Sequence, residues 1–412
     1  MRSSTRYVCL DELASDSDPL ELADDVRDAL EQTGLVNVRW ARRGLWKLLP
    51  CGKVGAVQIG DLLVEVKPKD KIGISQILFL LSYAKDPGFQ PDNVEAEQTS
   101  DLWSALGETL ARLSERATMR GVLQGYVSQD EALRTIRGRI RMSDQVTRRP
   151  GLLLPIEVTY DEFTVDIPEN RILRSAVRRM LAVPRLDTGV RRRLAHLDRQ
   201  LMDASPLNRG DRLPIWAPSR LNARYVPALR LAEIILQNMV AEASTGKIQV
   251  ASFVVDMAKV FEDFVTVALT EALRKHPGRT RAQYRTYLDE KPAQPGVLRV
   301  MIKPDIIHEF DGNPALIFDA KYKAATTSGQ YQNADHYQML AYATAMGRPD
   351  AWLVYAGPGQ PSQRRVRNSE IFIHEYPVDL SGTPSEILAR VESLSQQAIA
   401  TANAAPRTGD EL

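Results

Sequence analysis

Two short apolar runs joined by a turn constrain the fold of this chain more than any other feature. Lys303-Pro304-Asp305-Ile306-Ile307 leads through Asp311-Gly312-Asn313-Pro314 into Ala315-Leu316-Ile317-Phe318-Asp319-Ala320-Lys321-Tyr322-Lys323. Apolar runs of this length, bounded by Gly, Pro, Asn and Asp, read as strands of an antiparallel hairpin. Alternate strand residues share a face, so Asp319 and Lys321 are neighbours on one side and Ala320 points away. The hairpin carries Asp305 toward the Asp319 end. Two carboxylates placed there can share one divalent ion. Magnesium takes hard oxygen ligands, keeps several waters, and is usually held by one or two carboxylates plus substrate phosphate. A lysine alongside can orient an attacking water or stabilise charge developing on phosphorus.

Asp-x-Lys alone is a common tripeptide, and its neighbourhood carries the discrimination. Upstream, residues 254–269 read as a helix with an apolar stripe and Glu262 adjacent to that stripe. Downstream, residues 336–342 read as another helix; Gln338 and Tyr342 are four apart, share one face and can both reach a phosphate or a base. A strand over residues 351–355 follows. This order resembles the PD-(D/E)XK nuclease fold, and the Gln-x-x-x-Tyr helix is a feature shared with RecB-like nucleases. By that resemblance Asp305 and Asp319 are ligands of a magnesium ion, Lys321 is the catalytic lysine, and Glu262 is an auxiliary catalytic acid. Gln338 and Tyr342 would place the DNA.

The middle of the chain carries a second resemblance. Gly125-Tyr126-Val127, Leu133-Arg134-Thr135-Ile136-Arg137-Gly138-Arg139-Ile140, Tyr160-Asp161-Glu162-Phe163 and Pro168-Glu169-Asn170-Arg171-Ile172-Leu173 follow in the order of the McrC family, which they resemble. Asn222-Ala223-Arg224-Tyr225-Val226-Pro227-Ala228-Leu229, and the earlier Val57-Gln58-Ile59-Gly60-Asp61 and Val66-Lys67-Pro68-Lys69, are similar to that family too. McrC is the nuclease subunit of McrBC 5-methylcytosine restriction systems. The resemblance implies an endonuclease arm cutting double-stranded modified DNA, with neither methyl recognition nor nucleotide hydrolysis of its own. It implies a partner resembling McrB, an AAA+ GTPase hexamer that this chain stimulates, and it allows pairing of two McrC copies within the assembly. Arg137 and Arg139 are candidate contacts to partner or phosphate, since an arginine supplied in trans can stabilise phosphoryl-transfer charge. Two rival readings remain open: a nuclease-fold scaffold that activates an AAA+ ring without cutting, and a RecB-like DNA-repair exonuclease.

Composition bounds the remaining possibilities. At 412 residues the chain can hold two or three domains with cores of their own. A net charge of +1 favours no particular partner, whereas its distribution concentrates arginine in the middle of the chain, as at Arg134, Arg137, Arg139 and Arg141. Gly138 between two arginines points to a tight turn or a close backbone approach. Cys9 and Cys51 are the only cysteines, which argues against a disulfide framework or a cysteine-rich zinc site. No apolar run reaches the roughly 18 residues of a membrane span; residues 76–83 are the most apolar stretch and are too short, so no membrane partner and a cytoplasmic location are expected. No P-loop is apparent, nor a nucleophile elbow. His196, His276, His308, His336 and His374 lie apart and read as surface or packing residues, His336 being the one within a turn of Gln338.

The expected architecture is α+β and multidomain: a mixed N-terminal region over 1–98, a largely helical middle region over 99–250, an α/β PD-(D/E)XK nuclease domain over 251–398 and a flexible tail over 399–412. Helices are expected over 19–32, 102–120, 170–181, 190–202 and 225–242, and strands over 54–58, 62–66, 135–142 and 152–160.

Overall fold

The turn expected over residues 311–314 closes on two residues, since Phe310 pairs with Asn313 and leaves Asp311 and Gly312 as the loop, at φ 49° and 81°. Both are left-handed, the requirement of the type I′ hairpin turn whose twist matches that of its strands. Asn313 and Pro314 belong to the second strand. The computed structural model describes residues 6–42, 44–68, 72–87, 102–184, 186–208, 210–243, 249–290, 297–322 and 333–404. Its mixture of helices and sheets agrees with the α+β expectation. It divides into two compact units, one of Met1–Ala96 with Ser252–Leu412 and one of Glu97–Ala251. The stretches expected as separate first and third regions thus lie in one unit.

In the first unit the hairpin belongs to a six-stranded sheet ordered Arg279–Ala282, Ile306–Phe310, Asn313–Lys321, Asp350–Ala356, Phe372–Val378 and Ser362–Arg365. The first three strands are antiparallel; Asn313–Lys321, Asp350–Ala356 and Phe372–Val378 run parallel, and Ser362–Arg365 closes the edge antiparallel. Helix Asn333–Met346 packs Met339, Tyr342 and Ala343 on Ile317, Leu353 and Tyr355. Phe318 and Tyr322 alternate with Ile317 and so turn to the other face, where Phe261 of helix Met257–Leu273 meets the Tyr322 ring. Helix Pro384–Ala404 packs against Met257–Leu273. It holds residues 399–404, the start of the expected tail; 405–412 lie outside the described residues.

Residues 254–256 do not open the helix expected over 254–269. They end the strand Gln249–Asp256, and the Asp256 carboxylate caps the helix by accepting from the Ala258 and Lys259 N–H groups. Paired valines suit a strand, and the capping aspartate fixes the true start. The apolar stretch 76–83 lies in the ten-residue helix Ile74–Tyr83, which is buried on Met257–Leu273, with Phe79 and Tyr83 rings 5.7 and 5.6 Å from that of Phe264.

Strand Arg6–Asp11 runs parallel to Leu62–Lys67, which pairs antiparallel with Lys53–Ile59; Gln249–Asp256 lies beside the last. A Cβ on Gly55, at φ +139°, would stand 1.9 Å from the Phe253 carbonyl oxygen, so only glycine lets these strands meet. The helix expected over 19–32 is Asp24–Thr33, because Leu20–Glu21 pair instead with Trp46 and Leu45.

In the second unit, helices Leu102–Thr118, Pro168–Leu181, Thr188–Gln200 and Val226–Asn238 bury Leu106, Ile172, Val177, Leu194 and Ile235. Residues 239–242, expected to be helical, form the strand Met239–Ala243. A three-stranded sheet joins Gly125–Leu133, Ile156–Thr164 and Arg139–Ile140. The strand expected over 152–160 runs instead over Ile156–Thr164, and the one expected over 135–142 is reduced to Arg139–Ile140 because Gly138, at φ +71°, breaks the run: a Cβ there would lie 2.3 Å from the Thr159 oxygen. That is the close approach its place between two arginines suggested. Among the described residues no helix is long and apolar enough to cross a membrane.

Gly55→Ala is expected to lower stability by about 1–3 kcal/mol, the usual cost of forcing an extra carbon into a packed site. Chemical unfolding checks it, and an unchanged midpoint would contradict the close approach.

Candidate active site

Antiparallel register brings the charged residues together. Ile306 pairs with Phe318, which sets Asp305 across from Asp319 at one end of the sheet, and Asp305 Oδ2 accepts from the Ala320 N–H at 2.9 Å. Lys321 ends the same strand, on the face of Asp319, and its ammonium makes an ion pair with Asp319 Oδ2. Tyr322, the next residue, is buried, and its hydroxyl donates to Glu12 Oε2 at 3.1 Å. The N-terminal segment thus braces the strand end that carries the charges.

Asp319 is 1% exposed, and among the described residues the Lys321 ammonium is the donor that meets its carboxylate. Burying an ionised carboxylate without donors is costly unless a cation is at hand. Lys321 supplies part of that charge. Burial pushes the Asp319 carboxyl up despite Lys321. Burial, reinforced by the Asp319 charge, pushes Asp305 from its ordinary 3.8 up to about 6. Glu262 on helix Met257–Leu273 is raised by burial and by the Asp305 charge. Burial works against the Lys321 ammonium, but Asp319, Asp305 and Asp335 together outweigh it and hold its proton more firmly than usual. The site is therefore short of positive charge, and a small divalent ion suits the donor set. No group of three or more His, Cys, Asp or Glu side chains surrounds one point among the described residues, so the candidate ligands are the pair Asp305 and Asp319.

Glu262 reaches this pair through Gln283, whose Nε2 donates to Glu262 Oε1 and lies 3.4 Å from Asp305 Oδ1. Gln338 and Tyr342 share one helix face, as their spacing predicts. The Gln338 amide donates to the Tyr342 hydroxyl, which donates in turn to the Lys303 carbonyl at 3.1 Å. Tyr342 is 4% exposed, so the pair ties the helix to the backbone just before Asp305.

Two residues of the site went unmarked in the sequence. Asp335 is buried on helix Asn333–Met346 and its charge acts on both Asp319 and Lys321. Its spacing of three and seven from Gln338 and Tyr342 was the available signal. Gln283 follows strand Arg279–Ala282, and only tertiary pairing brings it here. His336 is elsewhere engaged: its Nε2 lies 2.7 Å from Glu375 Oε1, which also accepts from Arg364. Arg137 and Arg139 belong to the second unit, where the Arg137 guanidinium stacks 4.1 Å from the Tyr160 ring centroid and exposed Arg139 pairs in register with Thr159. Asp161 and Glu162 lie on strand Ile156–Thr164 in that unit.

A family model of the McrBC 5-methylcytosine restriction system component matches residues 50–356. The chain belongs to this family. The McrBC match takes in Glu262, Asp305, Asp319, Lys321, Gln338 and Tyr342, and it is the family that the order of motifs resembled. Among solved structures, the chain is similar to one in a refined half-complex from the tetradecameric assembly of Thermococcus gammatolerans McrB AAA+ hexamers with bound McrC. That likeness has a TM-score of 0.56 at 18% identity and covers 94% of this chain and 100% of the other. A chain of the T. gammatolerans McrBC complex seen by cryo-EM is similar at a TM-score of 0.41 and 18% identity, over 66% of this chain and 89% of the other. At such identity the first likeness speaks for the McrBC fold alone. No curated protein matches the chain.

A carboxyl whose folded pKa stands above its unfolded value binds its proton more tightly when folded. Its ionisation therefore costs stability above that pKa, and the cost fades as the pH falls. With Asp305 raised from 3.8 to about 6, Asp305→Asn is expected to stabilise the protein in chelator at pH 7.5. The gain is about 1–3 kcal/mol and shrinks toward pH 4. Unfolding curves across this range check it; equal stability of the two proteins at pH 7.5 would count against the electrostatic account.

Proposed function

We propose that the protein is the McrC-like endonuclease subunit of a modification-dependent restriction complex. It hydrolyses phosphodiester bonds of modified double-stranded DNA with magnesium, on a domain of the PD-(D/E)XK kind. The observation that carries this reading is the buried Asp319 carboxylate set beside Asp305 and Lys321 at one sheet end.

Asp305 and Asp319 would hold the ion, which supplies Lewis-acid stabilisation of the phosphate and a more acidic water. The protein's own groups do the rest. Lys321 stays protonated and stands beside the pair, where it can steer the attacking water or neutralise charge growing on phosphorus. Asp319 orients that ammonium. The Ala320 N–H fixes Asp305 Oδ2, and the Gln283 amide lies 3.4 Å from Oδ1. The chain from Gln338 through Tyr342 to the Lys303 carbonyl holds the segment that bears Asp305, and Gln338 is the residue of this face proposed to contact DNA.

The family match, and the fold shared with a chain in the T. gammatolerans assembly of McrB AAA+ hexamers with bound McrC, support an McrB-like hexamer as the partner. The absence of a P-loop motif from the sequence fits that division of labour. Arg139, exposed beside the stacked Arg137, is the proposed contact to the partner or to phosphate.

With the purified partner, GTP and magnesium, nicking of closed circular methylated DNA is expected from the native protein. Asp319→Ala and Lys321→Ala are each expected to lose at least about 100-fold of the cutting rate, the scale of a lost electrostatic contact in a transition state, while the partner's GTP hydrolysis is kept. Normal cutting by Asp319→Ala would refute the site, and no cutting by the native complex would favour a scaffold role. Arg139→Ala is expected to reduce stimulation of the partner's hydrolysis at saturating GTP; unchanged stimulation would remove that contact.

A further inference from the structure

Gln283 has an unusual backbone for an ordinary glutamine. It sits at φ +51°, in the left-handed region that non-glycine residues seldom occupy, immediately after strand Arg279–Ala282. Its N–H donates to the Asp305 carbonyl at 2.7 Å, which pins the strained residue against the segment that carries the candidate ligand. Such strain persists where surrounding structure enforces it, and it aims the side chain in a direction a regular strand would not.

That side chain reaches two acids. Gln283 Nε2 donates to Glu262 Oε1 and lies 3.4 Å from Asp305 Oδ1. Ionised carboxylates only accept, so the NH2 end of the amide, with its two hydrogens, is the end that faces them. Glu262 receives a hydrogen bond from no other group among the described residues. Its other surroundings on balance disfavour its charge: it is partly buried, and Asp305 and Asp263 oppose it more than Lys259 favours it. A glutamate on a helix in that setting gains hydration by turning outward. The Gln283 amide opposes that turn.

We infer that Gln283 is a positioning residue of the metal site, one that holds Glu262 inward on Asp305 so that a third acid backs the carboxylate pair. The inference rests on the metal reading given above and adds to it what sets the site's affinity. Without the amide, Glu262 turns to solvent and its charge no longer backs the Asp305 and Asp319 pair.

Calorimetric binding of calcium to the full chain tests this apart from cleavage. Glycine adopts φ +51° freely, so Gln283→Gly removes the amide while keeping the backbone N–H, and its unfolding midpoint is expected to match or exceed the native one. Native protein is expected to bind calcium and Asp319→Ala to lose that binding. Gln283→Gly should bind about ten-fold more weakly, the scale of one hydrogen bond to a charged group. Glu262→Gln, which leaves the strained backbone untouched, should weaken binding similarly, and combining it with Gln283→Gly should add little. Should Gln283→Gly lose stability, Glu262→Gln alone decides, and unchanged affinity there would overturn the inference. Binding that disappears in Asp319→Ala but stays equal or tightens in Gln283→Gly would overturn the inference and leave the metal reading standing. Absence of binding by the native protein, or its persistence in Asp319→Ala, would overturn both.

Discussion

A buried carboxylate met by a single lysine, with a second carboxylate across from it, is the constraint on which the rest of this structure depends. Asp319 lies deep at the end of an inner strand with Asp305 across from it, and Lys321 is the cation in contact with it. Raising a carboxyl from 3.8 to about 6, as at Asp305, corresponds to about 3 kcal/mol of unfavourable ionisation. The surrounding fold has to bear that strain. Structural ion pairs elsewhere in the same unit look different. Glu375 is equally buried, but Ser362, Arg364 and His336 all donate to it, and they hold its carboxyl below the usual range against the effect of burial.

The strain is carried by connections from several directions. The two-residue turn and a β-bulge between His308 and Glu309 together set the register that opposes Asp305 to Asp319. Tyr342 anchors the residue two before Asp305 from one face of the sheet, and Tyr322 anchors the residue after Lys321 to Glu12 on the other. The N-terminal segment, the feature least explained by sequence, thereby gains a mechanical part in the site. Its strand Lys53–Ile59 meets strand Gln249–Asp256 because Gly55 allows a contact no side chain would permit.

Legibility in the sequence followed the range of the interactions. The hairpin and its three charges could be read because strand alternation and turn residues are local, and the family could be read because its motifs keep their order along most of the chain. Boundaries failed where two local signals competed. Val254 and Val255 fit a helical stripe as well as a strand, and Asp256 as a cap settles the matter only once the strand is paired. Gly138 split a run that looked like one strand, for a reason that lies twenty-one residues away at Thr159. Gln283 was invisible because its role depends on strand pairing and an uncommon φ, neither of which its neighbours encode. Asp335 was legible in principle through its helical spacing from Gln338 and Tyr342.

The most direct measurement is anomalous diffraction from crystals of the protein soaked in manganese, a divalent ion of similar oxygen preference to magnesium. The account predicts a manganese peak bounded by the Asp305 and Asp319 carboxylates with the Lys321 ammonium alongside. A saturated crystal with no density there, or with its ion bound away from both aspartates, would contradict it.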